Sequence, residues 1–351
     1  MIPYWLLFLI PSMAALSSAP RYRGVRRVSL DPAWFGVIAL LVIFVGLRYE
    51  VGGDWFNYVG HVLYAEQMPL SAALRETEVL YWTVVVLSAQ TGLGIFGVTI
   101  TASFLFSVGL AYFCRTLPRP YLALAVAVPY LVIVVSMGYV RQSMALGLAL
   151  LGIIALCRGS MARFVIWIVL GTLFHKSAIL LLPLGALTLT RNRYLNISLV
   201  LIAGALGYSV LLDDEVDRLV QHYIEAEYQS SGALIRLIMN ALPAGLFLYY
   251  GKRFRISMSE YRFWRLLSLM SIALLAGYFL TSASTALDRI ALYCIPLQLF
   301  VFAHLPDALG RHGGRNMPIV AAILAYYATV QFVWLSYSAN AYMWLPYDNL
   351  I

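Results

Sequence analysis

Apolar stretches follow one another almost end to end along this chain, at roughly 2–19, 33–47, 93–114, 121–137, 141–157, 161–174, 177–190, 194–212, 234–251, 263–282, 290–305 and 317–336. A helix of about 20 apolar residues crosses the hydrocarbon core of a bilayer, and interrupted bundles tolerate shorter pieces. The pattern therefore predicts an all-α polytopic membrane protein with about 12 transmembrane segments, some short or re-entrant. Composition agrees: 62% of the 351 residues are hydrophobic and 11% are charged, against about 25% charged in soluble proteins. Nothing reads as a detachable soluble domain, so residues 1–351 form one transmembrane domain.

Charge sets the expected topology. The first stretch, Ile2–Ala19, has no positive region before it and is followed by Arg21, Arg23, Arg26 and Arg27. That polarity is wrong for a cleaved export signal and right for a retained helix with its N-terminus outside. Alternating from there, 17 of the 24 Lys and Arg residues fall in internal loops, with only Asp31, Glu260 and Asp307 among the 16 acids. The net charge of +8 thus reports orientation. The arginines are spread over six loops with no DNA- or RNA-reading motif, so nucleic acid is not an expected partner. Both termini are expected outside. Cys114, Cys157 and Cys294 lie within or at the ends of apolar stretches, which argues against a disulfide framework. The five histidines are too scattered for a zinc site, and no metal or cofactor is expected.

Two external segments are more than connectors. Residues 54–90 carry Trp55, Tyr58/Val59 and Val62/Leu63 at helical spacing, then Leu80, Tyr81, Val84 and Leu87. They read as two amphipathic helices in the outer interface. Residues 212–232 repeat the theme, with Asp213, Asp214, Glu215 and Asp217 where a helix N-terminus favours acids. The aromatic tail Tyr337–Tyr347 also reads as interfacial.

The polar groups that interrupt this pattern gather at the external helix ends. Arg48–Tyr49–Glu50–Val51–Gly52–Gly53–Asp54 puts three charges and two glycines directly after an apolar run. Charges beside hydrocarbon are costly and mark functional paths. Arg141, Arg236 and Arg289 are lone arginines on the side where arginine is disfavoured, and Arg141 and Arg289 stand near helix N-termini, where anions bind. A guanidinium forks onto phosphate, so the set suits a pyrophosphate. The competing reading pairs each arginine with an acid or lets it snorkel to head groups. His175, in Leu173–Phe174–His175–Lys176–Ser177–Ala178, suits a general base or a phosphate contact. Its competing role is a loop histidine bonded to a carbonyl. Asp54 and Glu78 are alternative bases, each with ion pairing as the competing role. Asp288, next to Arg289, reads as an orienting residue, and Gln142 and Tyr293 as supporting ones.

Several short motifs occur in one order: Arg48-x3-Gly52-x-Asp54-x3-Tyr58, Glu78 before an aromatic-containing helix, Val140–Arg141–Gln142–Ser143–Met144–Ala145, Phe174–His175–Lys176–Ser177–Ala178, and Asp288–Arg289-x3-Tyr293. Together they resemble the EpsG family of exopolysaccharide membrane proteins, which are similar to Wzy-type polymerases. The resemblance covers about residues 1–300, and the doubled Gly52–Gly53 is a small variation on it. It implies a glycosyltransferase of the bacterial cytoplasmic (inner) membrane that polymerises oligosaccharide repeat units linked to undecaprenyl pyrophosphate at the outer face. Chain-length regulator and export proteins are the implied partners.

In that chemistry Arg141 and Arg289, then Arg48 and Arg236, would stabilise charge on the departing pyrophosphate. His175, with Asp54 or Glu78 next, would deprotonate the acceptor hydroxyl, and direct displacement without a metal would invert the anomeric centre. Two other classes use the same residues: a ligase or acyltransferase with another acceptor, and a flippase that binds the lipid without chemistry. A flippase places its polar groups near the midplane, whereas these lie at the outer ends.

Overall fold

The computed structural model describes residues 1–21, 30–189, 194, 198, 201, 232–280 and 284–351. Among them regular structure is helical, apart from one antiparallel bridge between Arg48 and Asn349. The helices are α1 (Ile2–Ser17), α2 (Pro32–Gly46), α3 (Trp55–Ala65), α4 (Val79–Gln90), α5 (Gly94–Thr116), α6 (Pro120–Ser136), α7 (Val140–Cys157), α8 (Met161–Thr172), α9 (Lys176–Thr188), α10 (Ala233–Tyr250), α11 (Met258–Leu280), α12 (Ser284–Ala291), α13 (Pro296–Leu309) and α14 (Met317–Tyr337). Proline opens α2, α6 and α13, where its missing N–H has no helical partner to lose. Gly92 and Gly159 follow α4 and α7 with φ of 74° and 77°, the left-handed turn that ends a helix at little cost to glycine.

Six described helical segments are long and apolar enough to cross a membrane: α5, α7, Ala233–Arg253, α11, Leu287–Leu309 and α14. They match six of the expected spans. Five more, α1, α2, α6, α8 and α9, coincide with expected spans but are shorter apolar helices. Helix length therefore does not establish twelve crossings. The expected span 194–212 and the external segment 212–232 lie outside the described residues, but for single positions.

The segment 54–90 divides. Helix α3 is amphipathic, with Trp55, Tyr58, Val62 and Ala65 buried on one face. Helix α4 is instead a short, mostly apolar helix. Its few polar side chains bond inward, Thr83 Oγ1 to Val79 O at 2.7 Å and Ser88 Oγ to Gly94 O at 2.5 Å.

Part of the aromatic tail folds back into the bundle, while Tyr337 and Tyr342 stay exposed. Trp344 is buried, donates from Nε1 to Ile133 O at 2.9 Å, and receives the Tyr4 hydroxyl on its own carbonyl at 2.8 Å. Tyr347 stacks on Phe44 at 4.3 Å and donates to Phe44 O at 2.9 Å. These acceptors lie in the last turns of α2 and α6, which are wound more widely than an α-helix (Val42–Gly46 and Val128–Ser136). Wider turns leave carbonyls for side-chain donors, and Thr99 Oγ1 takes that of Gly46 at 2.6 Å. Gly52 has φ 112°, and a Cβ there would strike Met137 O. Its N–H reaches Met343 O at 2.8 Å, while Gly53 lies beside Met343 and Trp344. The two glycines thus let the Arg48–Asp54 loop lie between α6 and the tail.

Ion pairs sort the bundle into two ends. Arg115 meets Asp31 at 3.2 Å and Arg119 meets Asp307 at 2.9 Å; all four belong to loops read as internal. Arg141 pairs with Glu78 and Arg236 with Asp288; all four were read as external. Between the ends, α5 and α7 touch backbone to backbone. A Cβ on Gly109 would collide with the Gly147 carbonyl, and one on Gly147 with Leu105 O. Small residues let membrane helices approach this closely.

Gly147→Val should therefore cost about 1–3 kcal/mol or more, because the opposing atoms are backbone and cannot repack. The expected outcome is a lower melting temperature and a smaller monodisperse fraction on size exclusion, with Gly245→Val, which faces open space, much less affected.

Candidate functional site

Glu78 is the hub of the polar end. It sits just before α4, whose first N–H groups reach across to α8: Leu80 N donates to Leu173 O at 3.0 Å. That contact lays the His175 segment against the Glu78 carboxylate. Oε1 accepts from His175 Nδ1 at 2.7 Å and from the Lys176 backbone N–H at 3.2 Å, and Oε2 accepts from Arg141 Nη1 at 2.8 Å. The Glu78 side chain is only 4% exposed. Burial by itself would raise its pKa, but the hydrogen bond and charge of His175, then Arg141 and the Lys176 N–H, outweigh it and hold it down to about 2. Glu78 is thus an ionised carboxylate at neutral pH, with both oxygens engaged.

The consequence falls on His175. With Nδ1–H donated to the carboxylate, a neutral ring carries its lone pair on Nε2, the arrangement in which a carboxylate orients a general base. The sequence also admitted Glu78 as a base. Its depressed pKa and full set of donors suit that role poorly. Asp54 differs: burial raises its carboxyl, opposed by Arg141, Arg289 and a 3.5 Å bond from Asn57.

The arginines separate into two kinds. Arg141 uses Nη1 on Glu78 and lies over the Tyr81 ring at 5.4 Å. Its side chain is 38% exposed, and its guanidinium also interacts with the Tyr58 hydroxyl. Arg289 is exposed, and its carbonyl is anchored by Gln142 Nε2 at 2.9 Å. Both act electrostatically on Asp54, which places them around one region.

Arg48 and Arg236 are engaged elsewhere. Arg48 is 1% exposed and donates to Val45, Val51 and Met137 carbonyls at 2.5, 2.9 and 2.7 Å. Arg236 forks onto Asp288 through Nε and Nη2. Asp288 therefore holds Arg236 in place. Tyr293, also supporting, receives the Ser177 hydroxyl at 3.1 Å and so ties the residues after α12 to the start of α9.

Tyr58 and Tyr81 complete the site. Tyr58 Oη meets the Arg141 backbone N–H at 3.5 Å, and Tyr81 Oη meets His61 Nδ1 at 2.7 Å. Burial first, then Arg141, lowers the pKa of His61 against the pull of Glu78. Tyr81, His61 and Ser177 are missing from the sequence-derived set. Tyr81 follows Glu78 by three residues, a helical neighbour that spacing alone marks.

Because the folded pKa of Glu78, about 2, lies below the ordinary 4.5, its ionisation stabilises the fold above pH 4.5, and that contribution disappears as pH falls toward 2. Melting curves of wild type should drop across this window. Glu78→Gln should start lower at neutral pH and drop less steeply.

No curated protein and no solved structure matches the chain. A family profile, by contrast, does match. That of the EpsG family matches residues 33–349, nearly the whole length, and the chain belongs to the EpsG family.

Proposed function

We propose that this EpsG-family protein polymerises oligosaccharide repeat units carried on undecaprenyl pyrophosphate, at the outer face of the bacterial cytoplasmic membrane, with both termini outside. The observation that carries this reading is Arg141: a partly exposed guanidinium beside a histidine oriented by the same carboxylate.

In this mechanism His175 Nε2 takes the proton of the acceptor hydroxyl while its oxygen attacks the anomeric carbon of the donor chain. The bond from that carbon to the pyrophosphate oxygen breaks, and the anomeric centre inverts. Charge develops on the departing lipid pyrophosphate, and Arg141 and Arg289 stabilise it where water is scarce. Glu78 stabilises the imidazolium that forms. Arg48 and the Arg236–Asp288 fork hold the frame, and Asp54 is the second candidate for the base because burial raises its carboxyl.

The test is purified protein with a lipid-linked repeat unit. Longer chains support the reading, whereas translocation without extension marks a flippase. Arg141→Ala should abolish extension at wild-type protein level. Arg141→Lys should rescue poorly, since an ammonium lacks the fork. His175→Gln should lower turnover by roughly 10²-fold or more with donor binding nearly unchanged. Near-normal turnover would pass the base role to Asp54.

Orientation has its own check. Asn57→Cys should react with an impermeant thiol reagent in intact cells, with any outer membrane permeabilised, and Lys252→Cys should not. The reverse pattern would put the site on the wrong side for this reaction.

A further inference from the structure

A cavity of about 190 Å³ lies among the loops read as internal, at the end of the bundle that holds the Arg115–Asp31 and Arg119–Asp307 pairs. Arg21 after α1, the α5–α6 connection, Arg158 after α7, the α10–α11 connection and the end of α13 converge on it. Part of its wall is aromatic, formed by Phe113, Trp264 and Phe300, with Trp264 stacked on Phe300 at 4.1 Å.

Its charges do not balance. Five arginines line it against two acids, and both acids already hold donors. Asp307 accepts from Arg119 on Oδ1 at 2.9 Å, while its buried Oδ2 has no partner among the described residues. Glu260 closes a reciprocal capping box with Ser257, accepting its N–H and hydroxyl at 2.8 Å each. Arg115 has Asp31. Arg21, Arg158, Arg253 and Arg255 have no ion pair with any described carboxylate. A second observation is independent of charge. Trp264 is 1% exposed, and its Nε1–H has no acceptor among the described residues. A buried donor left unmet is costly.

Orientation in the membrane requires only that arginines lie on one side. It does not require them to surround a cavity that also holds an unmet indole donor. We propose that this cavity binds a phosphate group borne on an apolar body, through the guanidinium forks and the Trp264 N–H, with the aromatic wall taking the apolar part. The proposal is independent of glycosyl transfer at the other end. An anionic phospholipid head group and a free phosphate compound share this chemistry.

The experiment uses the full chain with two probes. Native mass spectrometry follows retention of phosphatidylglycerol against phosphatidylcholine through delipidation. Calorimetry follows inorganic pyrophosphate binding to delipidated protein. The variants are Arg253→Gln/Arg255→Gln, Trp264→Phe, and Arg163→Gln, which is outside the cavity, each first checked for a monodisperse profile.

Selective retention of phosphatidylglycerol that pyrophosphate displaces supports a lipid source. Pyrophosphate binding without lipid retention supports a soluble one. In either case the double variant should bind tenfold or more weakly, Trp264→Phe several-fold more weakly, and Arg163→Gln like wild type. Binding of neither probe overturns the proposal, as does equal binding by the double variant and Arg163→Gln. If the double variant does not fold, wild-type binding by Trp264→Phe overturns it.

Discussion

The polar end of this bundle is built around one buried cation, Arg48. Its guanidinium is 1% exposed and donates to carbonyls of Val45, Val51 and Met137. The Val45 and Met137 carbonyls belong to the C-terminal ends of α2 and α6, where backbone acceptors lose their helical partners and the helix dipole is negative. In an apolar interior such acceptors are expensive to leave unmet. One side chain satisfies both helix ends and the loop between α2 and α3, with Trp55 across its other face at 5.6 Å. The path of that loop then sets where Asp54 and α3 lie, and the end of α6 sets where α7 presents Arg141.

This explains what the sequence could and could not disclose. The long apolar helices and the two charged ends were legible, because a continuous apolar run and the side on which arginine falls are local properties. The division of labour among arginines was not. Arg48, Arg141 and Arg236 look alike in sequence, each a lone arginine at the end of an apolar run. They differ through partners far along the chain: Met137 for Arg48, Glu78 for Arg141 and Asp288 for Arg236. Glu78 was visible as an acid ahead of an aromatic helix. Its standing as a hub depends on Leu173 receiving the Leu80 N–H, a pairing that no spacing rule encodes. The spacing of Leu80, Tyr81, Val84 and Leu87 suggests an amphipathic α4, but the residues between them, Trp82, Val85 and Val86 among them, are apolar as well.

The two ends handle charge differently. Near Glu78, opposite charges pair closely and burial sharpens each interaction, so the Glu78 carboxyl is held ionised by its neighbours. At the other end guanidinium groups outnumber the acids that face the same space, and the acids present are bound to caps and to Arg119. The first arrangement holds a histidine in one orientation. The second leaves a positive surface for an anion.

The return of the tail gives the fold a temporal property. Arg48 and Gly52 are made long before their partners Asn349 and Met343. Until those residues emerge, the loop before α3 lacks the wall formed by Trp344 and Tyr347, and helices already inserted wait for it. Arrival of the tail is then what closes this end of the bundle. A chain stopped before Met343 would present an open loop that quality-control proteases can reach.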